Sequence, residues 1–83
     1  MQFTKEVKVP DGLHHQTAAT FIQTANRFSS LIRVTYGTNN VNAKSLLGVL
    51  SLSIGMGALV TLTAEGDDAE AAVSALEQCL LGA

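Results

Sequence analysis

The chain reads as an α+β fold, an antiparallel sheet of four strands covered on one side by three helices. Two observations carry this reading. Apolar periodicity switches cleanly between two, the period of a half-buried strand, and 3.6, the period of a helix with one buried face. The switches fall in the order β-α-β-β-α-β-α. Four strands that each hide one face and three helices that each hide one stripe close into two layers.

The first strand runs from Gln2 to Val9, with Phe3, Lys5, Val7 and Val9 on one face and Gln2, Thr4, Glu6 and Lys8 on the other. Pro10-Asp11-Gly12 ends it with turn chemistry. From His15 the period is helical: Ala18, Phe21, Ile22 and Ala25 form the stripe, opposite Gln23, Asn26 and Arg27. Ile32, Val34 and Tyr36 then alternate with Leu31, Arg33 and Thr35 in a second strand. Gly37-Thr38-Asn39-Asn40 reads as a hairpin connection because Gly and Asn tolerate positive φ, and Val41 to Ala43 as the short return strand. Ser45 can cap an apolar helix running to about Leu52. Ser53-Ile54-Gly55-Met56-Gly57 follows as a loop, and Leu59 to Ala64 alternates again. Gly66-Asp67-Asp68 opens the last helix, its acids suited to the helix dipole, with Ala69, Ala72, Val73, Leu76 and Leu80 as the buried stripe.

Composition bounds the function. Eighty-three residues suffice for one domain, residues 1–83, and 47% of them are hydrophobic, enough for a core without staples. The single Cys79 excludes an internal disulfide and fits a reducing cytoplasm. No apolar run approaches the ~20 residues that span a bilayer, so membrane insertion is not expected. Net charge is −2, and the basic residues Lys5, Lys8, Arg27, Arg33 and Lys44 are scattered, which argues against direct nucleic-acid binding.

The segment Gly12-Leu13-His14-His15-Gln16-Thr17-Ala18-Ala19 carries the chemistry. A helix start offers unpaired N–H groups and the positive end of the macrodipole, which together stabilise an anion. A histidine there has a nucleophilic ring nitrogen near neutral pH, and a phosphoryl group on it would rest against those donors. A plain cap or surface histidine is the alternative. Adjacent side chains on a helix do not face each other, so His14 and His15 make no metal pair, and no Cys, Asp or Glu stands at ligand spacing. No metal and no cofactor are expected. Asp11 reads as a turn residue, and Cys79 as buried packing. Leu46, Leu47, Val49, Leu50 and Leu52 exceed what a short helix hides on one face, so exposure is expected around Leu46, Leu47 and Gly48.

The element order, Gly12-Leu13-His14, Ala18-Ala19, Ala43-Lys44-Ser45-Leu46, Gly57 before the fourth strand and Ala64-Glu65-Gly66-Asp67-Asp68 resemble HPr, the histidine-containing phosphocarrier of the bacterial sugar phosphotransferase system. The resemblance spans essentially the whole chain. It implies an open-faced β-sandwich of sheet order 1-4-2-3. It also implies a cytoplasmic carrier that accepts phosphate from enzyme I on His14 and passes it to IIA domains, without an enzyme's own substrate pocket. Gln16 and Thr17 then stand where they would stabilise the phosphate. His15 is a secondary candidate, and Thr20, Leu46, Leu47 and Gly48 are the implied partner-docking residues. Asn42-Ala43-Lys44-Ser45-Leu46-Leu47-Gly48 is similar to the regulatory-serine region of the Firmicute branch, which implies modification of Ser45 by an HPr kinase/phosphorylase and binding to a catabolite-control repressor. A simple cap also accounts for Ser45.

The active loop departs from the family's Gly-Leu-His-x-Arg-Pro-Ala. Gln16 replaces the arginine and removes a charge-assisted, bidentate phosphate contact, while Thr17 replaces the proline and restores an N–H and a hydroxyl. Hydrogen bonds to charged groups are worth ~1.5–3 kcal/mol against ~1 for neutral pairs, so the expectation is a weaker or slower phosphate site. The rival reading is a regulatory paralogue acting through Ser45 in carbon catabolite repression. A third is a ligand- or metal-binding α+β domain unrelated to phosphate.

Overall fold

A computed structural model describes residues 1–82. The elements are β1 (Gln2–Val9), α1 (His15–Ala25), β2 (Leu31–Tyr36), β3 (Asn39–Asn42), α2 (Leu46–Ser51), β4 (Ala58–Glu65) and α3 (Ala69–Leu81). The sheet order is β1-β4-β2-β3, with every neighbouring pair antiparallel. Strand β4 is inserted between β1 and β2, with Val7 opposite Val60, and Leu62 opposite Val34 on the other side.

Alternation in each strand puts one set of side chains under the helices: Val7, Val9, Ile32, Val34, Val60, Leu62 and Ala64 are buried. They meet Ala18, Phe21 and Ala25 of α1, and Ala69, Ala72, Val73, Leu76 and Leu80 of α3. The α3 stripe is the one periodicity predicts; in α1, Ile22 is only half-buried. Full burial of Phe21 is worth about 1.5–3 kcal/mol. Lys5 lies on the inner face by register, yet it is exposed and its Nζ pairs with Glu77 Oε1 of α3 at 2.9 Å. Its aliphatic stem lets the charge reach the rim of the layer. The other sheet face, including Thr4, Glu6, Arg33 and Leu31, is open to solvent.

Two details differ from the sequence reading. The hairpin turn is only Gly37-Thr38, because Tyr36 pairs with Asn39 and Thr35 with Asn40. Gly37 takes φ 63 and supplies the one left-handed residue the tight turn needs. Asn40 serves the strand instead: its Oδ1 accepts from Arg33 Nε and its Nδ2 donates to Thr35 Oγ1 at 2.8 Å. At the start of α3 the carboxylate of Asp68 makes no cap bond to its own helix. It reaches across to the connection before β2, accepting from the N–H of Ser29 at 2.9 Å, the N–H of Ser30 at 3.0 Å and both hydroxyls. Ser30 is buried, and a Cβ on Gly66 would lie 2.6 Å from its Oγ. Only glycine, here at φ 149, fits that approach.

Candidate functional site

The loop between β1 and α1 is held from below by the loop between α2 and β4. The carbonyl of Val9 accepts from Gly57 N–H at 2.8 Å and from Gly12 N–H at 3.4 Å. Gly12 adopts φ 73, and a Cβ there would meet Gly55 C at 3.0 Å, Ile54 O at 3.1 Å and Met56 N at 3.2 Å. Leu13 is buried, and its N–H donates to Ile54 O at 3.0 Å. These ties place His14 at the N-cap of α1, with extended backbone (φ −88, ψ 173). Its carbonyl accepts from Ala18 N–H at 2.7 Å, the first rung of the helix ladder. The N–H groups of His15, Gln16 and Thr17 therefore precede the ladder and face the helix start. The His14 ring is exposed and makes no cap hydrogen bond. No acidic residue occupies the first turn of α1 to oppose an anion. The arrangement is a free imidazole beside a cluster of backbone donors at the positive end of a helix dipole.

Gln16 and His15 are exposed on the first turn, while Thr17 is half-buried. Thr20 is exposed one turn later, its hydroxyl donating to Gln16 O at 3.3 Å. Ser45 stands apart from these residues. Asn26 Nδ2 reaches Lys44 O at 3.5 Å, so the start of α2 lies beside the end of α1, while the exit of α2 leads to the loop under Gly12. The two helices run in opposite senses, with His14 and Ser45 toward opposite ends of the pair. Ser45 is the N-cap of α2, its Oγ accepting from Gly48 N–H at 3.1 Å.

The exposed patch expected at Leu46-Leu47-Gly48 narrows to Leu47, which is 80% exposed. Leu46 is half-buried against the core. Gly48 packs closely: a Cβ there would lie 3.3 Å from Ser45 Oγ and 3.4 Å from Val41 Cβ. Sequence reading passed over Met56, also 80% exposed, in the loop that supports Gly12. A methionine between two loop glycines was the available signal.

The family model for the HPr component of the phosphotransferase system, described by its phosphorylation site, matches residues 1–81. The chain belongs to the HPr family. It is 48% identical over 71 residues to the HPr-like protein Crh of Halalkalibacterium halodurans, covering 86% of this chain and 84% of that protein. It is 42% identical over 76 residues to the phosphocarrier protein HPr of Buchnera aphidicola, covering 89% of each. The crystal structure of HPr from Bacillus anthracis superposes with a TM-score of 0.92 at 43% identity, covering 95% of this chain and 96% of that one. Both carrier-type and Crh-type members of the HPr family are thus among its relatives.

Other features of this HPr-family chain lie away from His14. A depression of about 300 Å³ on the open sheet face is lined by Gln2, Leu31, Arg33, Asn40, Thr63 and Glu65. Cys79 is half-buried, its Sγ donating to Thr24 Oγ1 at 3.4 Å between α3 and α1. Among the described residues no three His, Cys, Asp or Glu converge as metal ligands, and no helix is long and apolar enough to cross a membrane.

Proposed function

We propose that this chain, a single HPr-like domain over residues 1–83, is a cytoplasmic phosphocarrier of the phosphoenolpyruvate-dependent sugar phosphotransferase system. It accepts phosphate from enzyme I on His14 and passes it to IIA domains. The observation that carries the reading is the free, exposed His14 ring at the head of α1, beside the N–H groups of His15, Gln16 and Thr17. The His14 ring nitrogen attacks the phosphorus of the donor's phosphohistidine in line. The new N–P bond forms as the donor's N–P bond breaks, and the donor imidazole leaves with its electron pair. The transferred dianion rests on the helix-start donors, with the Gln16 amide and Thr17 hydroxyl adding neutral contacts. Thr20, Leu46, Leu47 and Gly48 belong to the surface that meets partners, and Leu47 is its exposed large apolar side chain.

The test is incubation with enzyme I and phosphoenolpyruvate, followed by detection of acid-labile phosphate. His14→Ala abolishes labelling and His15→Ala keeps most of it, because His15 lies inside the first turn and points elsewhere. Full labelling of His14→Ala overturns the assignment.

Gln16 in place of the family's arginine, together with the similarity to Crh, favours one second reading. In it the chain acts in carbon catabolite repression through Ser45, modified by an HPr kinase/phosphorylase and read by a catabolite-control repressor, with transport reduced. Labelling of Ser45 by that kinase, without labelling of His14 by enzyme I, selects it.

A further inference from the structure

Strand register brings one cation and one anion into the same hollow of the open sheet face without pairing them. Leu31 of β2 lies opposite Glu65 of β4 and Arg33 opposite Thr63, while Gln2 of β1 flanks Glu65 on its other side. These five residues and Asn40 of β3 line the depression of about 300 Å³ described above. Arg33 and Glu65 are diagonal neighbours across the β2–β4 pair, a step of roughly 7–8 Å that two long side chains can close. They do not close it: among the described residues the one ion pair is Lys5 with Glu77. Arg33 turns instead to β3, where its Nε donates to Asn40 Oδ1 and its Nη2 to Asn40 O at 3.4 Å. Asn40 is itself held by Thr35, whose Oγ1 accepts from its Nδ2 at 2.8 Å. The guanidinium is therefore fixed along its Nε side, and Nη1 with the second Nη2 proton is left for an outside acceptor. Glu65 is exposed, and Leu31 beside it is 69% exposed, a large apolar side chain in an otherwise polar lining.

We propose that this hollow binds a small zwitterion, a free α-amino acid with an apolar side chain. The Arg33 guanidinium takes its carboxylate, Glu65 its ammonium and Leu31 its side chain. Two opposite charges held one diagonal step apart complement a molecule that carries both, and a pre-oriented guanidinium offers a carboxylate two parallel donors. A phosphate or sugar phosphate would bring its negative charge against Glu65. A neutral sugar would leave both charges unmatched, and no aromatic ring lines the hollow for it to stack on. The volume stands at the lower end of the range for small-molecule sites, which suits a ligand of amino-acid size. Gln2 and Thr63 add neutral donors and acceptors around it. The site lies on the sheet face that the helices leave open, so an occupant does not cover His14, and the proposal is independent of the carrier reading. Both charges are exposed to water, which weakens each contact and puts the affinity in the millimolar range.

The experiment is a titration of the isotope-labelled full chain with L-leucine at fixed pH and salt, followed by the backbone amide resonances. Saturable shifts are expected at Leu31, Arg33, Thr63 and Glu65 and not at His14 or Leu47, with a Kd of about 1–10 mM. Acetyl-leucine, which lacks the ammonium, and leucinamide, which lacks the carboxylate, each bind about fivefold or more weakly. Arg33→Gln, Glu65→Gln and Leu31→Ser each weaken L-leucine by a similar factor, and the thermal midpoint stays nearly unchanged because all three side chains are exposed. Lys8→Gln, on the same face at the far end of β1, leaves the affinity within about twofold. Absence of saturable shifts up to about 50 mM overturns the proposal. Equal affinity for the three ligands, or indifference to Arg33→Gln and Glu65→Gln, overturns it as well. No enzyme I enters this assay, so its failure leaves the carrier reading standing, and failure of His14 labelling leaves this site standing.

Discussion

The N–H of Leu13 donates to the carbonyl of Ile54 at 3.0 Å, so the residue immediately before His14 is pinned to a loop far along the chain. Leu13 is buried at that point, and the chain turns from β1 into α1 over a fixed support. The orientation of the histidine is thus set by the α2–β4 loop as much as by its own helix. Ser53, at the head of that loop, holds φ 51, a left-handed conformation that a non-glycine residue adopts at a cost of about 1–2 kcal/mol. The support is built with some strain, and Ile54 is buried to hold it.

Gly12→Ala disturbs both sides of this junction. Its methyl would enter at 3.0–3.2 Å from backbone atoms of Ile54, Gly55 and Met56, none of which is a flexible side-chain end, and φ 73 is itself unfavourable for alanine. The expected loss is about 1–3 kcal/mol of stability, read from denaturant unfolding. Phosphoryl transfer falls further than the folded fraction does, because the loop that aims His14 shifts. Wild-type transfer by the folded Gly12→Ala protein refutes the role of the junction.

The sheet and its single layer of helices were legible because strand and helix periods differ and the core stripes of α1 and α3 are long. Sheet order was not derivable from periodicity and came from the resemblance to HPr. The hairpin turn is two residues shorter than residue type implies, since Asn39 and Asn40 favour turns by type but gain a ladder, and Asn40 an Arg33 contact, in the strand. The position of His14 at the head of α1 was legible from its place between a glycine turn and an apolar helix. Asp68 was assigned to its own helix start because cap rules are local, whereas its partners Ser29 and Ser30 are about forty residues away. Met56 escaped because loop residues carry no period, and its exposure beside Gly12 is a property of the folded chain.

Asp68 sets an acid-range dependence of stability. Hydrogen bonds from the Ser30 hydroxyl and then the Ser29 N–H, against an opposing effect of burial and with further help from the Ser30 N–H, hold its carboxyl below the usual carboxylate range. In the unfolded chain the same group binds a proton at higher pH, near about 4. Its contribution is therefore fully present above that value and is lost as pH falls through the lower, folded value. Asp68→Asn keeps one acceptor but turns the other oxygen into a donor facing Ser29 or Ser30. It unfolds at a lower temperature than wild type near neutral pH, and the gap between the two midpoints narrows below about pH 4. A gap that stays constant down to about pH 2 contradicts the assignment.

Gln16→Arg tests the altered active loop. Gln16 is exposed on the first turn and makes no side-chain hydrogen bond among the described residues, so an arginine there enters open space. It would bring a full charge and two parallel donors to a phosphate on His14. The variant transfers phosphate faster, and its phosphohistidine hydrolyses more slowly, by a factor of about 3–10 for a gain near 1 kcal/mol. Thr17→Pro alone removes an N–H that faces the helix start and gives no such gain. Equal rates and half-lives for wild type and Gln16→Arg show that the loop has no deficit of charge to repair.

Ser45 separates a cap from a switch when two substitutions are compared. Its Oγ accepts from Gly48 N–H at 3.1 Å at the start of α2, so Ser45→Ala removes a helix cap and costs about 1 kcal/mol. Ser45→Asp supplies another acceptor and a charge that the helix start favours, which leaves the thermal midpoint nearly unchanged. The carboxylate nonetheless stands two residues from exposed Leu47, at the edge of a surface without charged side chains. Docking there would have to desolvate it without a partner, so transfer from enzyme I slows in Ser45→Asp while the less stable Ser45→Ala transfers normally. Phosphorylation by a serine kinase, adding roughly −1.5 to −2 charges, slows it further. The opposite pattern, with transfer tracking stability in both variants and no labelling of Ser45, reduces this residue to a cap.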